Sequence, residues 1–209
     1  MCASFDHPQV EKIDWDYAYR QGTPEWDSGV PSEALVRIVE RGIIKPCRAI
    51  EIGCGTGADA VYLAQKGFEM TAVEASPMAM ERARTRAQRA RVLINFILDD
   101  VFEYTAEAEK HAFVYDAGFY HFIRNQDLEA FLDMLWRLTF PGSHYLTIAG
   151  SDQETAEGGP PRLGEETIRA ELGRLFEVVD LRPCRMGSPR RAEGYLGWSC
   201  LMKRPEAFH

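Results

Sequence analysis

The run Glu51-Ile52-Gly53-Cys54-Gly55-Thr56-Gly57 sets an acidic residue two positions ahead of three glycines at alternate positions, between a short apolar run and a segment of helical period. Glycines in such a bend let the backbone turn sharply and let a ligand lie against the main chain. A carboxylate at the strand end repels a pyrophosphate and attracts an ammonium or a sulfonium. Glu51 with Gly53, Cys54, Gly55 and Gly57 therefore reads as a seat for S-adenosylmethionine, whose demethylated product is S-adenosylhomocysteine. Gly53, Gly55 and Ala58 also satisfy G-x-G-x-x-G/A, so a nicotinamide dinucleotide stays open at this point. Glu74, followed by Ala75, ends the second apolar run, where either cofactor would present ribose hydroxyls. Asp99-Asp100-Val101 ends the third, and this second acidic patch suits an adenine amino group and favours the methyl donor.

A second constellation, Asp116-Ala117-Gly118-Phe119-Tyr120-His121-Phe122, follows the fourth apolar run. His121 is the candidate general base, because an unperturbed imidazole titrates near neutral pH; the alternative is a ring that packs or hydrogen-bonds a carbonyl. Tyr120 and Phe122 are candidates to clamp a flat substrate ring. Asp116 either touches substrate or cofactor, or caps a helix. Arg162 either meets an anionic acceptor or is solvated. His7, His111, His144 and His209 have no metal-ligand spacing, so no metal is expected.

Positioning these residues requires a parallel sheet covered by helices. Short apolar runs at 49–52, 70–73, 95–98, 113–117 and 144–149 alternate with helical segments at 58–65, 77–90, 126–138 and 165–175. Ser76-Pro77 is a strong helix start, and Ser32 heads a helix over 33–40. Two final strands, 176–181 and 195–202, are joined by residues 182–193, which lack helical period, so the pair is expected to be antiparallel. The expected fold class is α/β, a Rossmann-like seven-stranded sheet of the class I methyltransferase kind with a C-terminal antiparallel hairpin. Residues 1–47, with Trp15, Tyr17, Tyr19 and Trp26, are expected to lie as an aromatic lid over a core formed by 48–209, the whole making one domain.

Bulk properties limit the partners. A net charge of −8 over 209 residues argues against tight nonspecific nucleic-acid binding, and the basic run 82–91 reads as a solvated helix face. No apolar run approaches the roughly 20 residues of a membrane span, and the first residues do not resemble a leader; a cytoplasmic protein is expected. Five cysteines without a C-x-x-C pair indicate neither a disulfide framework nor zinc. The expected partner is a small-molecule acceptor, with the chain a monomer or a weak homodimer.

In order along the chain, Trp15, Pro24-Glu25-Trp26-Asp27-Ser28-Gly29, Glu51-Ile52-Gly53-Cys54-Gly55, Asp100-Val101-Phe102 and Gly158-Gly159-Pro160-Pro161 resemble the thiopurine methyltransferase family. The likeness is greatest to its plant thiol and halide methyltransferase branch and to bacterial small-molecule relatives. The resemblance implies methyl transfer from S-adenosylmethionine to a small nucleophile, usually sulfur. It also implies that Trp15, Tyr19 and Trp26 line the cofactor, with Gly53, Glu74, Asp100 and Val101 completing its site. Tyr19 stands where the plant branch has tryptophan, and Ala117 where the thiopurine enzymes have arginine, so a thiopurine acceptor is not expected. A thiol acceptor leads. O- or N-methylation of a small aromatic or quinone-like heterocycle is the alternative, and a cofactor-binding sensor without turnover is the reading outside enzymes.

Overall fold

The computed structural model describes residues 14–104 and 110–206. Cys2, His7 and His209 lie outside them. In chain order the elements are α1 (Trp15–Arg20), α2 (Glu33–Glu40), β1 (Arg48–Ile52), α3 (Ala58–Gln65), β2 (Glu69–Glu74), α4 (Pro77–Ala90) and β3 (Asn95–Leu98). They continue with β4 (Phe113–Ala117), α5 (Tyr120–Leu138), β5 (His144–Ser151), β6 (Arg162–Leu163), α6 (Glu165–Leu172), β7 (Glu177–Ser188) and β8 (Arg191–Lys203).

The main sheet runs β3-β2-β1-β4-β5-β8-β7, with the two-residue β6 pairing β5 off that path. β1 to β5 are mutually parallel, whereas β8 is antiparallel to β5 and β7 antiparallel to β8. The central strands are buried on both faces, which explains their near-continuous apolar sequences. One face packs Ile50, Ile52, Val114 and Tyr145 with Phe131, Leu135 and Ile168. The other packs Ala49, Ala72, Phe113 and Ile148 with Leu35, Ile38 and Leu63 of α2 and α3. Strand order reverses between β1 and β4, so the crevice for a ligand opens at the carboxyl ends of those strands.

Three elements differ from the sequence expectation. The terminal hairpin is far longer than expected, because residues 182–188 and 191–194 extend both strands up to a tight turn at Pro189-Arg190. Pro183 is tolerated because β7 is the edge strand, and Gly187 sits at the irregularity between Met186 and Ser188. α5 begins at Tyr120, earlier than periodicity indicates. Asp127 is non-helical (φ −154°, ψ 89°) and its carboxylate accepts the Ala130 N–H at 2.9 Å, so it caps the long second segment and leaves a short helical turn in front of it. α6 ends at Leu172 rather than 175, with Gly173 as its C-cap.

The basic face of α4 is not merely solvated. Arg82 donates to the carbonyls of Tyr19 (2.8 Å) and Gly22 (2.9 Å), and Arg86 to those of Thr56 (2.9 Å) and Gly29 (2.8 Å). Spaced four apart, the two arginines lie on one helix face and hold the segment 14–32 against the sheet. Asp16 adds an anchor at the other end of the helix, where its carboxylate accepts from Ser76 Oγ (2.7 Å) and the Met78 N–H (3.0 Å).

Candidate active site

A cavity of about 780 Å³ occupies the carboxyl ends of the strands beneath the segment 14–32. Its wall includes Trp15, Tyr19, Trp26, Glu51, Gly53, Cys54, Gly55, Glu74, Ala75, Asp99, Asp100 and Val101, so most of the residues chosen from sequence converge there. Gly57, Asp116, Tyr120 and Arg162 do not reach the wall.

The glycine bend explains its own composition. Gly53, Gly55 and Gly57 all have positive φ (64°, 52° and 75°), a conformation that L side chains rarely adopt. A Cβ on Gly55 would stand 2.7 Å from the Tyr19 hydroxyl, and one on Gly53 would stand 3.0 Å from the Phe119 ring. Gly57 instead meets Ala83 of α4, 2.9 Å from a would-be Cβ, so its glycine serves packing of α3 on α4. Cys54 is buried and its thiol is pushed well up by burial, which disfavours the nucleophilic thiolate.

Each acidic strand tip has a distinct environment. Glu74 Oε2 accepts the Gly55 N–H at 2.9 Å and Oε1 accepts the Ser76 N–H at 2.8 Å, which ties the end of β2 to the glycine bend. Burial raises its carboxyl, and these backbone donors oppose the rise. Glu51 is the more unusual acid. Its Oε2 is buried without a hydrogen-bond partner among the described residues, and burial, then the nearby Asp59, lift its carboxyl well above the ordinary range. Asp59, pushed up to about 6 by burial, accepts from the Ser32 N–H (2.7 Å) and the Tyr115 hydroxyl (2.7 Å). Asp100 Oδ1 accepts the Phe102 N–H at 3.1 Å, shaping the turn after β3.

The lid aromatics form a connected cluster. Trp26 Nε1 donates to the Tyr19 hydroxyl at 3.1 Å. Trp15 stands edge-on to Trp26 and to Phe122, with ring centroids 5.6 and 5.1 Å apart. Glu25 accepts a hydrogen bond from Tyr195 of β8, which ties the segment 14–32 to the terminal hairpin.

The segment after β4 departs from its sequence reading. Asp116 is fully buried: Oδ1 accepts the N–H groups of Phe119 and Tyr120 (both 3.0 Å), and Oδ2 accepts the Tyr145 hydroxyl (2.5 Å). Burial holds its carboxyl up at about 6, and its work is to cap the start of α5. Tyr120 points into the core, stacked on Phe131 at 5.7 Å, and its hydroxyl donates to Glu171 at 2.7 Å beside Arg124. His121 does line the cavity, but its Nδ1 accepts the Gly150 N–H at 3.0 Å and burial depresses the ring to about 3, too weak a base to serve at neutral pH. Arg162 is exposed, as the solvated reading has it, and does not line the cavity. It donates to the backbone carbonyls of Glu154 and Ala156 and to that of Gly158 (3.0 Å), and so fastens the loop 154–158.

Other wall residues had no clear sequence signal: Ile148, Met186, Gly187 and Tyr195 arrive from β5, β7 and β8, while Gly159-Pro160, part of the Gly-Gly-Pro-Pro motif, comes from the loop before β6. That loop lies on β5 because Gly150 leaves room for it. A Cβ there would stand 2.3 Å from the Pro161 carbonyl, and one on Gly159 would stand 2.6 Å from the Tyr195 ring. Among the described residues no group of His, Cys, Asp or Glu is placed to hold a metal, and no helix is long and apolar enough to cross a membrane.

Residues 49–142 match a family model described as a methyltransferase domain. The chain is 27% identical over 203 residues to the Arabidopsis thaliana protein named "Probable thiol methyltransferase 2", covering 93% of this chain and 86% of the relative. It is 24% identical over 166 residues to the 2-heptyl-1-hydroxyquinolin-4(1H)-one methyltransferase of Mycobacteroides abscessus, covering 78% and 73%. A structure solved in work on conversion of a disulfide bond into a thioacetal group during echinomycin biosynthesis superposes with a TM-score of 0.79 at 23% identity, over 92% of both chains. The 1,6-didemethyltoxoflavin-N1-methyltransferase of Burkholderia thailandensis superposes with a TM-score of 0.70 at 20% identity, over 90% and 84%.

Sheet order, site position and these likenesses support a class I S-adenosylmethionine-dependent methyltransferase. Its sequence is similar to those of the plant thiol and thiocyanate methyltransferases. The site's own chemistry fits the donor: an unpartnered buried carboxylate oxygen for a cation, a bend free of side chains, and an aromatic cover.

Proposed function

We propose that the enzyme methylates the sulfur of a small thiol, with Glu51 taking the donor's amino group, Glu74 its ribose hydroxyls, and Asp100 with Val101 its adenine. When bound, S-adenosylmethionine supplies a methyl carbon already activated by its sulfonium. The chain's remaining task is to align the acceptor and exclude water, and orientation of this kind is worth on the order of 7–11 kcal/mol in the best intramolecular models. Trp15, Tyr19 and Trp26 do both, since their rings cover the cavity and aromatic faces attract a cation.

The observation that carries the sulfur reading is the lack of basicity at the acceptor end. His121 is depressed to about 3 and the Asp116 carboxylate is consumed by three hydrogen bonds. A thiol, with a pKa of about 8.5, already presents a few per cent of thiolate at neutral pH and needs no strong base. The A. thaliana relative's name is in accord with this. An N-hydroxy heterocycle is the second reading, favoured by the name of the M. abscessus relative and by Phe119 and Phe122 in the cavity wall. A panel of thiols, phenols and N-hydroxyquinolones, assayed with labelled donor, separates them. Turnover on thiols at least tenfold above the others is expected, and exclusive turnover on oxygen acceptors would overturn the sulfur assignment. The small-molecule scale of the acceptor, a cytoplasmic place of action, a monomer or weak dimer, and one domain with residues 1–47 as lid belong to the same proposal.

A further inference from the structure

The hydrogen bond from the Gly150 N–H to His121 Nδ1, 3.0 Å long, fixes the tautomer of the imidazole. A backbone amide only donates, so Nδ1 carries a lone pair and the proton of the neutral ring sits on Nε2. Nε2 has no hydrogen-bond partner among the described residues, and the residue is only 2% exposed. The Cε1–Nε2 edge lies beside Gly118, 3.5 Å from where a Cβ on that glycine would stand, and both residues line the cavity. The ring therefore offers the cavity an unpartnered N–H.

We propose that His121 is a hydrogen-bond donor to the acceptor atom, with Gly150 as the positioning residue that locks it in that role, so that the enzyme takes acceptors arriving as anions and does not deprotonate neutral ones. This rests on the reading that residues 117–122 face the acceptor. For His121 to act as a base toward the cavity its proton would have to move to Nδ1, setting two N–H groups against each other and leaving a buried amide unsatisfied. Burial alone depresses the ring, and no charged side chain opposes it. Of the other titratable groups on neighbouring elements, Asp116 is enclosed by its own donors and Tyr195 of β8 is bonded to Glu25 of the lid. The acceptor's proton is lost to water before transfer. In transfer the acceptor's electron pair forms the bond to the methyl carbon, the former carbon–sulfur pair stays on the departing sulfur, and no proton moves at His121. Aryl thiols, largely ionised near neutral pH, are the fitting chemical class.

The test combines a spectrum with kinetics. In protein labelled with ¹⁵N-histidine, the signal that disappears in His121→Gln is expected at unprotonated Nδ1 and protonated Nε2 positions. Across para-substituted thiophenols, the pH at which kcat/KM levels off should move with each thiol's own ionisation. At a pH where the thiol is fully ionised, His121→Leu should lose about 10- to 100-fold in kcat/KM, as for a hydrogen bond to a charged atom. His121→Gln accepts from Gly150 with its oxygen and donates with its amide, and should stay within about tenfold of wild type. A protonated Nδ1, a break at one fixed pH for every thiol, or wild-type kcat/KM in His121→Leu would each overturn the proposal. Should no thiophenol react, the sulfur reading fails, and the spectrum with the same series run on phenols still decides the role of His121.

Discussion

Replacing Glu51 by glutamine removes one charge and little volume, and so isolates the contribution of the orphaned carboxylate oxygen. Burial and the neighbouring Asp59 keep this carboxyl protonated above the usual carboxylate range in the ligand-free protein. An ammonium placed against Oε2 favours the ionised form, so uptake of S-adenosylhomocysteine expels a proton. The sign follows: Kd in the wild type falls as pH rises, by up to about tenfold per unit while the free carboxyl still holds its proton. Asp59 and Glu74 are raised beside it, so the part of the slope that belongs to Glu51 is the part that Glu51→Gln removes. The loss of a charged hydrogen bond costs about 1.5–3 kcal/mol, or roughly 10- to 150-fold in Kd for Glu51→Gln at pH 8. Titration calorimetry in two buffers of different ionisation enthalpy counts the protons, with release expected in the wild type and none in the variant at that pH. Equal Kd and equal proton counts in the two proteins would refute this role for Glu51.

Three further outcomes follow from the contacts. Tyr120→Phe removes the hydrogen bond to Glu171, which keeps Arg124 as a partner; denaturant melts should give a loss of about 1 kcal/mol with kcat unchanged, and a large drop in kcat would return Tyr120 to the active site. The double variant Arg82→Ala with Arg86→Ala releases four carbonyl contacts between α4 and the segments carrying the lid and the glycine bend. Release of S-adenosylhomocysteine should quicken by about tenfold or more in stopped flow. His111 is fully buried with both ring nitrogens unpartnered among the described residues, and burial depresses it to about 4. The unfolded chain gains that proton near pH 6.5 while the folded one does not, so stability is lost as pH falls from 6.5 toward 4; His111→Leu should remove up to about 2 kcal/mol of the difference in urea stability between pH 7.5 and 5.

Local chemistry made much of this protein legible from its residues. The glycine bend and the acidic strand tips were readable because both depend on near neighbours: glycine for positive φ, and a carboxylate at the end of an apolar run. The parallel core was readable because strands buried on both faces must be apolar throughout. The antiparallel closing pair followed from a linker without helical period. Tertiary structure decided the rest, because burial and hydrogen-bond partners assign roles that residue type leaves open. Asp116, Tyr120 and His121 are an acid, a phenol and an imidazole within one short sequence segment, yet the fold makes one a helix cap, one a core ring and one a neutral cavity residue. Arg82 and Arg86 look like a solvated face until the lid lies within reach of them. Gly150, unremarked in sequence, both seats the loop at 158–161 and holds the His121 ring. Such contacts join residues tens of positions apart, and only the folded chain brings their atoms within hydrogen-bonding distance.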